Sequence, residues 1–338
     1  MENDTLDLNE MFLIKIGSTW VLDTLYLYVL TTFSMIGIVL NIINLIVLCN
    51  KNIGQIRLYD YLKFYSLNSL IITIITSLGF YSHVPRYFEE SLSQFSRISR
   101  CYGAHFGLTF FFYGNVLNIL IIFERMSLYH INMKIFSTLN PYKVCVFSFF
   151  VCCLINWPTL LQYSIKSNDE FYQARTNYSI LVNFTYCERT DFILSTVGKV
   201  IFCLIYFVRD ILTLIIEILA YSVSLVTFKR YLRSKTHVLV LALTISNPSS
   251  SRIKRLERTN KNLTDMSISS ALLSIICNCL TIFYMVVYYL FDNTLIFHYY
   301  GFFSTLIISI RYSLTFFFNY YYNLNFRNII SRKDVLNE

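Results

Sequence analysis

Charged residues are scarce in this chain. They make up 14% of its 338 residues, where soluble domains carry about 25%. The shortage is concentrated, because five stretches of roughly 20 residues or more hold no Asp, Glu, Lys or Arg at all. A helix built from such a stretch is apolar on every side, and one soluble core cannot bury several of them. An ordinary soluble domain is excluded. Histidine is equally sparse: His83, His105, His130, His237 and His298 form no spaced pair within an apolar stretch. Neither catalysis nor a metal or other cofactor is expected from them. Met1–Asp23 is acidic (Glu2, Asp4, Asp7, Glu10, Asp23) and lacks a basic leader before a short apolar core, so no cleavable signal peptide is expected. An internal repeat with broken helices, the mark of many transporters, is missing too.

What remains is apolar length. Seven segments reach the length that crosses a ~30 Å hydrocarbon core at 1.5 Å per residue. They are Thr24–Asn50, Phe64–Pro85, Cys101–Phe123, Val144–Ile165, Thr196–Phe228, Met266–Phe291 and Asn293–Asn325. The expected fold is an all-α membrane protein, a seven-transmembrane helix bundle with a short amphipathic eighth helix. Residues 1–23 form a tail, 24–323 the bundle, and 324–338 the amphipathic helix and tail. In that last segment Phe326, Ile329 and Ile330 would face the membrane interface, with Arg327, Arg332 and Lys333 towards the headgroups.

Lys and Arg fix the expected orientation. With the N-terminus outside, the cytoplasmic pieces hold Lys51, Arg57 and Lys63, then Arg125, Lys134 and Lys143. The third inner loop, Lys229–Asp265, adds nine more, and the C-terminal segment adds Arg327, Arg332 and Lys333. The outer pieces hold Lys15, Arg86, Arg97, Arg100, Lys166, Arg175 and Arg189, diluted by acids. The bias exceeds two to one. The net charge of +8 then belongs to loops beside an anionic lipid leaflet, and nucleic acid is not an expected partner.

Of nine cysteines, only Cys101 and Cys187 fall on the oxidising side under this topology. Two thiols alone in that compartment are read as a disulfide. Asn177 and Asn183 head glycosylation sequons in the loop that carries Cys187, and Asn3 heads one in the N-terminal tail.

Polar residues inside apolar segments need partners. Asn41 and Asn44 are read as helix–helix contacts. Asn68 lies in the second segment. Glu217 stands near mid-depth of the fifth, and Arg311 is the lone charge of the seventh, which makes the two a candidate ion pair. Lys199 and the Arg209-Asp210 pair sit towards the outer part of the fifth. Trp157-Pro158 would kink the fourth. Glu124-Arg125-Met126 closes the third, one crossing after Cys101. The third inner loop reads equally as an extension of the fifth helix and as a docking surface.

Taken together, these features resemble the rhodopsin-like G-protein-coupled receptors, in a divergent invertebrate orphan or chemosensory style. Glu124-Arg125-Met126 looks like that family's Asp/Glu-Arg-Tyr motif, Asn41 like its first-span Asn, Trp157 like its fourth-span Trp, and Phe326-Arg327 like the opening of its eighth helix. The resemblance covers about Leu25 to Lys333. There are departures. The second span lacks the family's Asp, and the sixth has Ile276-Cys277-Asn278-Cys279 with no Pro. The Asn-Pro-x-x-Tyr positions hold Thr315 and Asn319, or Asn319 and Asn323 after a one-turn shift, with no Pro in either register.

The resemblance implies a plasma-membrane receptor that passes binding of an extracellular ligand to a heterotrimeric G protein, with Arg125 at the coupling face. Its ligand, a peptide or a small chemosensory molecule, would draw on His105, Thr109, Tyr113, Arg209, Asp210 and Tyr288. The third span has no Asp to suit an amine. The alternatives are a seven-span ligand-gated channel of the odorant-receptor type, whose N-terminus would lie inside, and a membrane transporter.

Overall fold

The computed structural model describes residues 25–53, 56–79, 102, 104–128, 136, 138–173, 179–242, 250–290 and 295–331. A π-helical turn (Tyr26–Leu30) runs into α1 (Thr31–Leu48). Then come α2 (Arg57–Gly79), α3 (Ala104–Ser127) and α4 (Pro141–Asn156). A 3-10 turn (Trp157–Gln162) leads into a hairpin of β1 (Tyr163–Gln173) and β2 (Ser179–Arg189). After the short α5 (Asp191–Leu194), α6 (Thr196–Tyr206) passes through a π-helical segment (Phe207–Leu212) into α7 (Thr213–Ala242). The chain ends in α8 (Ser250–Leu290), α9 (Leu295–Tyr322) and α10 (Leu324–Ile330).

Six of the helical runs are long and apolar enough to cross a membrane: Tyr28–Leu48, His105–Ser127, Pro141–Leu161, Thr196–Tyr231, Lys261–Phe283 and Phe302–Tyr322. This is the architecture of a multi-pass membrane protein. The expected second span is the exception. Its helix starts earlier than the sequence suggests, at Arg57, so Arg57, Asp60 and Lys63 stand in its first two turns. Its expected far end, Phe80–Pro85, lies outside the described residues.

α1 shows how such a sequence folds. Its buried residues Ser34, Gly37, Asn41 and Asn44 recur every three or four positions and so share one face. Met35, Ile36, Val39, Ile42, Ile43 and Ile46 are exposed on the others. The polar stripe faces protein and the apolar surface faces outward, the reverse of a soluble amphipathic helix. Small residues let backbones approach. A Cβ at Gly37 would collide with the Ser313 hydroxyl of α9 and lie 3.0 Å from Thr73 Cγ2 of α2.

The helices form a ring. α1 packs on α2 and α9, α2 on α3, α3 on α7 and α8, and α8 on α9. α4 leans on α2 and α3 from outside. Burial agrees: 56% of the apolar window of α3 is buried inside the protein against 22% for α4, so α3 is the central helix and α4 a peripheral one. Asn140 caps α4 by accepting from the amides of Tyr142 (3.0 Å) and Lys143 (3.4 Å), with Pro141 in the first turn. At the other end the helix stops as α-helix at Asn156, where Pro158 supplies no amide proton, and a 3-10 turn takes over.

The hairpin is the one departure from helix among the described residues. β1 and β2 are antiparallel, with Ile165 opposite Cys187 and Asp169 opposite Asn183. The loop Lys229–Asp265, left open above, is largely helical. α7 continues to Ala242 and α8 starts at Ser250. Forty-one residues of α8 give a length of about 60 Å, roughly twice the hydrocarbon core.

Candidate functional site

Mid-way along the bundle, α3, α7, α8 and α9 contribute to one polar network around a fully buried carboxylate. Glu217 of α7 has no solvent exposure. Asn118 of α3 donates to its Oε1 at 3.1 Å, and Asn278 of α8 donates to its Oε2 at 2.8 Å. The Ser270 hydroxyl of α8 donates to Asn118 Oδ1 at 3.4 Å. Arg311 of α9, 2% exposed, reaches Asn278 Oδ1 with Nη1 at 3.3 Å. Its guanidinium also lies over the rings of Phe111 (5.7 Å) and Tyr312 (5.1 Å).

The expected Glu217–Arg311 ion pair is therefore corrected. The two charges share one network, but no salt bridge joins them among the described residues. The Asn278 amide stands between, with its NH2 end on the acid and its carbonyl end on the base. Asn118 and Asn278 were not singled out from sequence. The signal was available, since each is an amide inside an apolar run, and the rule applied to Asn41 and Asn44 covers them equally.

A second polar cluster joins α1, α2 and α9, and it is neutral. Asn319 donates to Asn44 Oδ1 at 2.7 Å, and Asn44 donates to the Ser66 hydroxyl at 2.6 Å. Asn41 donates to its own helix at Gly37 O (2.9 Å) and across to Tyr312 O (3.3 Å). Asn68 donates to Phe110 O of α3 at 3.1 Å. The Tyr59 hydroxyl donates to Asn323 Oδ1 at 3.1 Å, and the same oxygen caps α10 by accepting from Phe326 N at 3.2 Å. Thr315 is buried, as are Asn319 and Asn323.

The acid–arginine pair at the end of α3 is tied to α2. Glu124 Oε1 lies 3.4 Å from Arg57 Nε. Arg57 also donates to the carbonyls of Phe136 (3.0 Å) and Leu139. Glu124, Arg125 and Met126 are all buried. Arg57 thus links the start of α2 to the end of α3 and to the segment between α3 and α4. Sequence reading gave it only a topological role.

The candidate ligand residues are placed as follows. Arg209 and Asp210, on the π-helical segment, engage each other in a bidentate pair at 2.8 and 2.7 Å, with Arg209 packed 4.8 Å from the centre of the Tyr206 ring. Arg209 lies on the π-helical segment and is 1% exposed. His105 is buried. The Thr109 hydroxyl bonds back to His105 O at 3.1 Å, and the Tyr113 hydroxyl reaches Cys145 O of α4 at 3.1 Å. His105, Thr109, Tyr113, Arg209 and Asp210 each have partners within the protein. Cys101, Asn3 and Asn177 lie outside the described residues. Cys187 and Asn183 are on β2 and Tyr288 on α8, with side chains outside the description. No metal-holding group of His, Cys, Asp or Glu occurs among the described residues.

No protein-family model matches this sequence, and no curated protein matches it either.

Proposed function

We propose that this protein is a cell-surface receptor of the rhodopsin-like, G-protein-coupled kind, with seven spans, the N-terminus outside and the C-terminus in the cytoplasm of the plasma membrane. The observation that carries the reading is the Glu124-Arg125-Met126 end of α3. α3 is the central helix, its last turn is buried, and Glu124 is clasped by Arg57 from the neighbouring helix. Breaking that clasp would free the inner end of α3 to meet a partner. Supporting features are the excess of Lys and Arg on one side, the Cys101 and Cys187 pair assigned to the other, and the short α10 after the last span, although Phe326, expected at the membrane interface, is instead buried in the core of the bundle. The mechanism is population shift. An extracellular ligand, a peptide or a small chemosensory molecule, favours one arrangement of the bundle, the inner ends of α7 and α8 separate, and a heterotrimeric G protein engages Arg125.

A ligand screen in cells carrying a promiscuous G-protein reporter tests the reading. Arg125→Ala should abolish the ligand response while surface delivery, read by an N-terminal tag on intact cells, is retained. A full response from that variant, or a tag reachable only after permeabilisation, would reject the proposal. The second outcome would favour the channel alternative.

A further inference from the structure

Glu217 and Arg311 are opposite charges buried in one network, yet they do not touch. Burying a charge is costly unless it is paired and its hydrogen bonds are made. Glu217 meets the condition with two amide donors. Arg311 does not: its Nε and Nη2 find no acceptor among the described residues. Its bond to Asn278, at 3.3 Å, is longer than the 2.8 Å bond on the acid side of the same amide. The guanidinium lies beside aromatic faces that attract a cation.

We propose that Asn278 is a spacer in a two-state switch. In the arrangement described, its amide separates Glu217 from Arg311. In the second, α8 moves so that the amide withdraws and the Arg311 guanidinium pairs directly with the Glu217 carboxylate. The exchange breaks the long Arg311–Asn278 bond, in which one partner is charged, and makes an arginine–carboxylate pair, in which both are. It also breaks the 2.8 Å amide bond to the acid, so gain and loss are of similar size and both states can be populated. Asn118 stays on Oε1 in both and holds the acid on α3. The switch stands without the receptor reading, because neither readout below is a signalling response.

The test combines two measurements on the whole 338-residue chain in lipid nanodiscs. The first is a double-mutant cycle on melting temperature, Glu217→Gln with Arg311→Met, run with Asn278 present and again with Asn278→Ala. If Asn278 is a spacer, removing it lets the charges meet and the non-additivity of the two substitutions grows. If Asn278 is merely a bridge, the non-additivity stays equal or shrinks, and the proposal is overturned. The second measurement is the distance between spin labels at Leu272→Cys on α8 and Phe317→Cys on α9. Both positions are exposed, and the exposed Cys49, Cys203 and Cys279 would first be replaced by Ser. The unaltered network should give two populations and Asn278→Ala should collapse them into one. A single, unchanged population in both overturns the switch. Should Asn278→Ala fail to fold, one population with Asn278 in place still overturns it and two support it.

Discussion

Two polar clusters share the interior of this bundle, and they are wired differently. Around Asn44, on α1, α2 and α9, every group is neutral and the bonds run in a chain of short steps from Asn319 through Asn44 to Ser66. Around Glu217, on α3, α7, α8 and α9, two full charges depend on amides, and one of them keeps unmade donors. A neutral chain binds helices with little at stake, because losing one link strands at most a dipole. A charged one is high-stakes, because losing one link strands an ion in a low-dielectric interior. The first cluster has the character of glue and the second of a device.

Removing one charge should produce the largest effect. Glu217→Leu leaves Arg311 buried with no acid in its network, and Arg311→Met leaves Glu217 without a cation. Each should cost about 3–5 kcal/mol, read as a fall in melting temperature in nanodiscs. Removing both together should recover most of the loss, since two apolar side chains suit this interior. Single losses under about 1 kcal/mol would erase the distinction between the clusters.

Next comes the close approach that lets the neutral cluster form. Gly37 brings α1 against α9, and a Cβ there meets the Ser313 hydroxyl and Thr73 Cγ2. Gly37→Val should destabilise by about 1–3 kcal/mol through overpacking. Adding Ser313→Gly should return part of it, because the hydroxyl is the nearer obstacle. No relief from that second change would mean that Thr73 or the backbone sets the spacing.

Asn44→Leu breaks the neutral chain at its middle. It deprives Asn319 of its acceptor and Ser66 of its donor. Interhelical hydrogen bonds of this kind are worth about 0.6 kcal/mol on average in membrane bundles, and two are lost, so a cost of about 1 kcal/mol is expected. The same melting assay ranks it against Glu217→Leu. Equal costs would show that charge is not what separates the two clusters.

Much of this architecture is legible in the sequence, for a physical reason. Lipid demands long apolar runs, and those runs are visible residue by residue. That placed most helices and picked out Asn41, Asn68, Glu217 and Arg311 as buried polar groups. What was not legible is pairing. A single chain shows that Glu217 needs a partner, but Asn118 and Asn278 became its partners only through the way α3 and α8 approach α7. The same holds for Arg57, whose place in a charge count says nothing of the carboxylate it clasps. The start of α2 was misplaced because charged first turns can sit at a helix end facing water, which an apolarity count trims away. The hairpin was missed because its residues, such as Lys166, Asp169 and Glu170, read as a charged loop, and pairing with β2 is non-local.

The smallest change sets the scale for all the others. The Tyr113 hydroxyl ties α3 to α4 by one bond to Cys145 O at 3.1 Å, in neither cluster. Tyr113→Phe keeps the ring and its edge contact with Phe149, whose centroid lies 5.2 Å away, and deletes only the hydroxyl. The Cys145 carbonyl still accepts its own helical amide bond, so no ion and no donor is left stranded. A loss of about 0.5–1 kcal/mol follows, well under the charged cluster and near the neutral one. A much larger loss would place Tyr113 among the groups that hold the bundle together rather than at its periphery. α4 would then be a working part of the core and not a helix leaning on it.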